Sequence, residues 1–288
     1  MKILKIIFIL LNYINLYASF KSYELIGSKA IGMCGAFTAV ADDTTAILYN
    51  PAALAQQNKN LIYFDYSNIF GIKDLNQLSI LSKVNSIIGT IGLGFVNLNF
   101  KNYYKEQLWI ISYAHLIFQK FRIGINLKYF DREIEGDFGE LPTYKFSQKI
   151  GIDFGTLFQI SDFLKIGIVT FNLNKPEILK EEGIAPTKFG FKLLPLILLD
   201  KYVNLNKNIL DKFILTSDFF KSYYKNLIST GLEYIVNNYW SVYIGTDWKE
   251  KFTFGTTISI ESINFGYSFV YNPSILNNNN LVSIELKL

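Results

Sequence analysis

The residue types that carry catalysis and metal binding are scarce in this chain. Its 288 residues include one histidine, His115, and one cysteine, Cys34. A protein metal site needs several such ligands together, and neither residue has the partners to complete a set. No serine stands in a recognisable nucleophile setting for Ser–His hydrolysis. We therefore predict that the protein is not an enzyme and that it holds no metal and no cofactor.

Three closely spaced glycines, Gly89, Gly92 and Gly94, are the nearest approach to a phosphate-binding loop. Such a loop needs a helix N-terminus directly after it, and none follows here. The three glycines instead lie inside a predicted strand. They are therefore interpreted as a strand kink or as a close approach of two backbones.

A further set of charged residues falls on one face of the predicted strands, facing the lumen if those strands close into a barrel. The set is Arg122, Lys128, Lys149, Asp153, Asp218, Glu233 and Asp247. Unpaired charges in a narrow lumen are costly, so these groups should pair with one another or with a plug. Two interpretations stay open: the charges only fill and rigidify the interior, or they hold a plug through Lys29, Asp42 and Asp43.

The proposed plug is the small-residue stretch at 27–54, within an N-terminal segment taken as residues 20–60. Its motif residues are Gly32, Gly35, Asp42, Asp43, Asn50, Pro51 and Ala52. Asp42 or Asp43 is expected to cap a short helix beginning at Thr44, and Asn50 before Pro51 is expected to start a second one. Taken alone, the stretch is equally compatible with a helix–turn–helix piece of a soluble domain.

From Leu61 onward the chain alternates with period two in short segments, which is typical of β-strands. In the stretch 120–130, for example, Ile123, Ile125 and Leu127 share one face, and glycine, asparagine, lysine and arginine share the other. An apolar, aromatic-rich face opposite a face of small polar residues is the pattern of a membrane barrel. The predicted fold is an all-β transmembrane antiparallel barrel over residues 61–288. About fourteen strands are expected, beginning near Leu61, Gln77, Ile87, Lys105, Lys120, Phe146, Phe163, Thr187, Lys212, Leu227, Tyr239, Phe252, Ile263 and Leu281.

The predicted connections alternate between tight turns and long loops, as periplasmic turns and extracellular loops do. One connection breaks this rule, because the stretch 195–210 falls on the turn side yet is long. It is interpreted either as a short interfacial helix or as an error in the strand count.

Residues 1–19 are predicted to be a secretory signal peptide, because lysines precede an apolar stretch and small residues for cleavage follow it. The alternative is a membrane anchor, but the stretch is short for a spanning helix. The net charge of +4 comes from lysines spread along the chain, so no nucleic-acid partner is expected.

The order Gly32-x-x-Gly35, then Asp42-Asp43, then Asn50-Pro51-Ala52 resembles the N-terminal signature of the FadL/PorV superfamily of outer-membrane β-barrels. The length and the pattern of the final strands are similar to the short PorV/PorQ-like members. The chain departs from the family at Cys34, where glycine is usual, and at Leu288, where an aromatic residue is usual.

This resemblance implies an outer-membrane protein of a Gram-negative-type bacterium, surrounded by outer-membrane lipid. It implies passage of small hydrophobic molecules through a plugged lumen, with such a molecule as the ligand. The alternative is a PorV-like scaffold or cargo-binding barrel that docks a partner of a protein secretion system.

Overall fold

The computed structural model describes residues 26–288 except 102, 135–143, 177–185, 196, 198–210, 223–225, 250 and 272–277. The predicted signal peptide lies outside the described residues. The described chain forms one closed antiparallel barrel in which each strand pairs with its neighbours in sequence and β1 pairs with β14. None of the helices in the described part of the chain has the length and apolar character needed to cross a bilayer.

All fourteen predicted strands are present, and each begins within two residues of its expected start. Their bounds are β1 Leu61–Asn68, β2 Leu75–Ser86, β3 Gly89–Phe100, β4 Tyr104–Phe118, β5 Phe121–Ile134, β6 Tyr144–Gln159, β7 Leu164–Thr170, β8 Thr187–Leu193, β9 Phe213–Lys221, β10 Asn226–Asn237, β11 Trp240–Thr246, β12 Phe252–Ile260, β13 Ile263–Tyr271 and β14 Asn279–Lys287. The predicted fold class is confirmed.

The alternation along each strand decides which side chains enter the lumen. In β5, Asn126 and Lys128 are buried, whereas Ile125 and Leu127 are 47% and 50% exposed on the outer surface. Closure between β1 and β14 leaves no free sheet edge, so the wall strands satisfy their backbone hydrogen bonds within the ring. The barrel therefore presents an apolar outer surface and a more polar inner one, as predicted.

The predicted kink in β3 is not accompanied by a break in strand pairing. The pairing of β3 runs without a register shift along β2, from Gly89 to Phe100, and along β4, from Thr90 to Phe100. Register shifts occur elsewhere in the wall, for example between Leu116 and Phe118 of β4. The hydrogen-bonded wall is thus continuous at β3.

The long connection on the turn side is a real exception to the alternation of loop lengths and not an error of strand count. Strand β8 ends at Leu193 and β9 begins at Phe213. Pro195 and Ile197 have helical backbone. The other residues of the stretch 195–210 lie outside the described residues.

The described part of the N-terminal segment, residues 26–60, forms three short helices: α1 Ser28–Gly32, α2 Ala46–Tyr49 and a 3₁₀ helix Pro51–Gln56. They lie inside the barrel, where their buried side chains share one apolar cluster with inward-facing wall residues.

The Asn50 cap is confirmed, because its side chain accepts a hydrogen bond from the Ala52 N–H. The expected start at Thr44 is wrong. Asp43 accepts hydrogen bonds from the Thr45 N–H and hydroxyl, and this turn delays α2 to Ala46.

Candidate functional site: the plugged lumen

The plug lies directly against the wall on one side of the barrel, because the wall strands there carry glycine at the contact. A Cβ added to any of eight inward-facing glycines would lie 3.0 Å or less from a plug atom. At Gly124 the added atom would be 2.3 Å from the Ala52 nitrogen, and at Gly245 it would be 2.5 Å from the Met33 carbonyl carbon. We call this surface the glycine-lined wall, formed by Gly124, Gly155, Gly167, Gly190, Gly231, Gly245, Gly255 and Gly266 of β5–β8 and β10–β13.

On the other side, larger side chains connect the plug to β14 and β1–β4. We call this surface the side-chain wall, formed by Tyr63, Asp65, Leu81, Val96, Leu108, Ile110, Ser283 and Glu285. The Gly27 N–H donates to Asp65 Oδ2 at 3.1 Å, and the Ser28 hydroxyl lies 2.8 Å from that of Ser283.

The three glycines of β3 belong to this second side and have different roles. A Cβ at Gly92 would meet the plug side chains of Ile47 and Leu54 at 3.0 and 3.1 Å, so Gly92 gives a close approach to the plug. A Cβ at Gly94 would meet the Leu81 side chain at 3.0 Å, within the wall itself. Gly89 has a φ of 138° at the start of the strand, a conformation that favours glycine.

Asp218 of β9 fixes the middle of the plug by accepting three hydrogen bonds on one carboxylate oxygen. The donors are the Phe37 N–H at 3.1 Å, the Thr38 N–H at 3.0 Å and the Thr38 hydroxyl at 2.6 Å. Asp218 is 2% exposed, and hydrogen bonds to a charged carboxylate are stronger than neutral ones. This predicted lumen charge therefore holds the plug through its backbone and not through a plug cation.

Lys29 of the plug joins the plug to itself and to the wall. Its ammonium lies 3.0 Å from Asp42 Oδ2 in the plug and 2.9 Å from Glu233 Oε2 in β10. Burial alone would lower the pKa of Lys29, but the two carboxylates outweigh it and raise the pKa well above its usual value. In the contact between Glu233 and Lys29, a lumen charge therefore holds the plug through a charge of the plug itself, as one of the two interpretations expects.

Asp43 has another role, since it bonds within its own turn and not to a lumen cation. Its burial, and next the nearby carboxylates of Glu285 and Asp42, raise the pKa of Asp43 to about 7.

Lys128 and Asp153 pair with each other across β5 and β6, with 2.6 Å between their charged atoms. Asn126 donates to Asp153 at 3.0 Å and to the Ile47 carbonyl of the plug at 2.8 Å, so this pair reaches the plug through Asn126. Arg122 contacts the plug directly, because its Nε donates to the Ala55 carbonyl at 3.1 Å.

Two of the predicted lumen charges have other surroundings. Asp247 lies just beyond β11 and accepts hydrogen bonds from the Lys249 and Lys251 N–H groups at 3.1 and 2.9 Å. It therefore shapes its own loop, and its charge also acts on Cys34 of the plug. Lys149 is half-buried on the inward positions of β6, and no ion pair with it is found among the described residues.

Several plug contacts come from strands at the two ends of the barrel sequence and were not predicted. Glu285 of β14 accepts hydrogen bonds from the Thr44 N–H at 3.1 Å and its hydroxyl at 2.8 Å. Lys83 of β2 donates to the Gln57 carbonyl at 2.7 Å. The signal was available, since the alternation that turns Ser283 inward also turns Glu285 inward.

The residues first considered for chemistry are not grouped into a reactive site. His115 lies beside Tyr113, with ring centroids 6.3 Å apart, and Cys34 is a free, half-buried thiol whose burial raises its pKa to about 11. Within the described ranges no group of three or more His, Cys, Asp or Glu side chains could hold a metal ion.

A cavity of about 240 Å³ lies between the plug and the wall at the end of the barrel that carries the tight turns. We call it the basal chamber. Its lining is polar and includes Lys29, Asp42, Asp43, Glu233 and Glu285. The ion pair of Lys29 with Asp42 and Glu233 therefore borders the space that separates the plug from the barrel mouth.

No protein-family model matches the chain, and no curated protein matches it. Among solved structures, the CymD monoaromatic hydrocarbon channel is similar, with a TM-score of 0.62, 12% identity, and coverage of 91% of this chain and 97% of that chain. The Ralstonia pickettii toluene transporter TbuX gives 0.62 and 12%, covering 92% of this chain and 99% of that chain. A Pseudomonas aeruginosa FadL homologue gives 0.58 and 10%, covering 91% and 97% respectively. The chain therefore has the fold of the FadL-type outer-membrane barrels.

Proposed function

We propose that this chain is an outer-membrane barrel that passes small hydrophobic molecules across the outer membrane of a Gram-negative-type bacterium. The proposal depends above all on one observation, the buried apolar cluster inside the lumen. Leu81, Val96, Leu108, Ile110 and Phe130 of β2–β5 face inward and pack in one cluster with plug side chains.

The interior of a water-filled porin is polar, so the apolar cluster on the β2–β5 side of this lumen does not suit hydrated solutes. Transfer of a hydrophobic molecule from water to such a surface, by contrast, is favourable. It lowers the free energy by roughly 25 cal/mol per Å² of apolar area buried. The same fold serves as a monoaromatic hydrocarbon channel in CymD and as a toluene transporter in TbuX. These neighbours support the choice of small hydrophobic compounds as the class of ligand.

The test compares an apolar and a polar solute in the same protein. Cells with a lipopolysaccharide outer membrane that express the chain should take up radiolabelled toluene faster than cells carrying an empty vector. Liposomes containing the purified barrel should not swell in arabinose, because the plug closes the aqueous path. Toluene uptake no faster than the vector control, or swelling at the rate of an open porin, would contradict the proposal.

A further inference from the structure

We propose that the lumen opens toward the basal chamber by movement of a short part of the plug, residues 41–45, while the rest of the plug stays in place. Lys29 is the latch that keeps this turn closed, and the basal chamber is the exit vestibule. This inference rests on the proposed function for what passes, but its opening step is measured separately.

The first observation is that the plug is fixed on both sides of this turn by wall glycines that touch it directly and by wall side chains that bond its backbone. Before it, Gly231, Gly245 and Gly255 of the glycine-lined wall lie against residues 32–34, and Asp218 holds the backbone of residues 37 and 38. After it, the contact of Gly124 with Ala52 and the Arg122 hydrogen bond hold the 3₁₀ helix. At the glycine contacts the wall has no side chain that could rotate out of the way.

The second observation is that none of the wall glycines has its nearest contacts on the turn itself. Side chains from outside the turn hold it: Lys29 bonds Asp42, Glu285 bonds Thr44, and the Gln57 amide donates to the Asp42 carbonyl. Ala41 has a φ of 23°, in the left-handed region that residues other than glycine rarely adopt. Side-chain contacts around a strained backbone form a segment that can move without unfolding its neighbours.

The third observation is the charge around the latch. Asp42, Asp43, Glu233 and Glu285 all line the basal chamber, and Lys29 is the cation that joins the turn to the β10 wall. Asp42 also lies within the electrostatic influence of Lys165 in β7 and Lys192 in β8. Lys192 lies within the electrostatic influence of both Asp42 and Glu233, but Lys29 makes the direct contacts with them at 3.0 and 2.9 Å. Removing the Lys29 ammonium would break both contacts and leave the two carboxylates less well compensated, and like charges repel. Loss of this one charge should therefore favour the open turn.

The first experiment measures ion conductance in planar bilayers. Lys29→Met should open at least tenfold more often than the unmodified protein, and Lys29→Arg, which keeps the charge, should stay closed. Arg132→Met is the matched control, because it breaks a wall pair with Glu106 at 2.7 Å that does not touch the turn, and it should also stay closed. If Lys29→Met fails to insert, Asp42→Asn provides the same test with a smaller change. A closed Lys29→Met or Asp42→Asn protein would overturn the latch.

The second experiment distinguishes a moving turn from a plug that leaves as a whole. The Ser28 and Ser283 hydroxyls are 2.8 Å apart, so cysteines at both positions, with Cys34→Ser, place two thiols within reach of a disulfide that ties α1 to β14. Lys29→Met in this background should conduct equally in the oxidised and the reduced state. Loss of conductance on oxidation, restored by reduction, would show that the whole plug must leave and would overturn the local gate.

Conductance also separates this inference from the proposed function. Opening of Lys29→Met with no toluene uptake in any variant would contradict hydrophobic passage and leave the gate standing. Toluene uptake by the unmodified protein, with Lys29→Met closed to ions, would contradict the gate alone.

Discussion

The two sides of the lumen hold the same plug by different means. On the glycine-lined wall, plug and wall backbones are in direct contact, as at Gly255, where an added Cβ would lie 3.0 Å from the Gly32 Cα. On the side-chain wall, groups such as Tyr63, Leu108 and Glu285 extend inward to reach it. The plug is therefore placed off-centre, against β5–β8 and β10–β13.

This difference determines how each side can respond to a passing molecule. Direct backbone contact cannot loosen without moving a whole element, whereas side chains exchange rotamers within their allowed wells. A path for a small molecule should therefore form along the side-chain wall, where the apolar cluster lies, and end at the basal chamber.

The largest effect is expected for truncation on the side-chain wall. Leu108 is 1% exposed and borders the plug residues Ile47 and Leu48. Leu108→Ala should lower the free energy of unfolding by about 2–5 kcal/mol, through lost burial and a cavity that cannot collapse. Ser283→Ala, which removes one hydrogen bond from the same wall, should cost about 1 kcal/mol. Denaturant unfolding in lipid vesicles measures both, and equal costs would mean that apolar packing does not dominate this wall.

The next effect is expected on the glycine-lined wall. Gly124→Ala would place a Cβ 2.3 Å from plug backbone atoms and should cost about 1–3 kcal/mol, because the plug must shift. Gly94→Ala adds the same atom against the Leu81 side chain at 3.0 Å, which can adjust, and should be milder. The same unfolding assay compares the two. A Gly124→Ala protein as stable as Gly94→Ala would show that the plug is not pressed against the wall.

The smallest effect is expected from pH. The pKa of Asp43 is raised to about 7, chiefly by burial, so the closed turn favours the protonated carboxyl. This contribution to closure is complete at acidic pH, below the usual aspartate value of about 3.9, and is lost as pH rises through 7. Channel openings should therefore be a few-fold more frequent at pH 8 than at pH 6. Asp43→Asn should remove the dependence, and an unchanged pH response in that variant would assign it to another group.

The barrel was predictable from the sequence because each strand shows its faces locally. Period-two alternation placed Gly124, Asn126 and Lys128 inward without any knowledge of neighbouring strands, and the structure agrees. The cap at Asn50 was equally local, since cap and helix adjoin in sequence.

The contacts of the plug were only partly predictable, because they depend on how the plug is turned inside the ring. Alternation shows that Gly245 and Glu285 face inward, but not that one meets Met33 and the other Thr44. Asp247 is buried as expected of an inward charge, but β11 ends at Thr246, so its hydrogen bonds to the following loop could not be predicted from alternation within a strand.

The central claim is that residues 27–54 close the lumen, and their deletion tests it most directly. The strands bond to one another in a closed ring, so the shortened protein should still insert as a folded barrel. Its ion conductance in planar bilayers should rise from near nothing in the intact protein to discrete, stable steps. An intact protein that conducts as freely as the deleted one, or a folded deletion variant that stays closed, would contradict the claim.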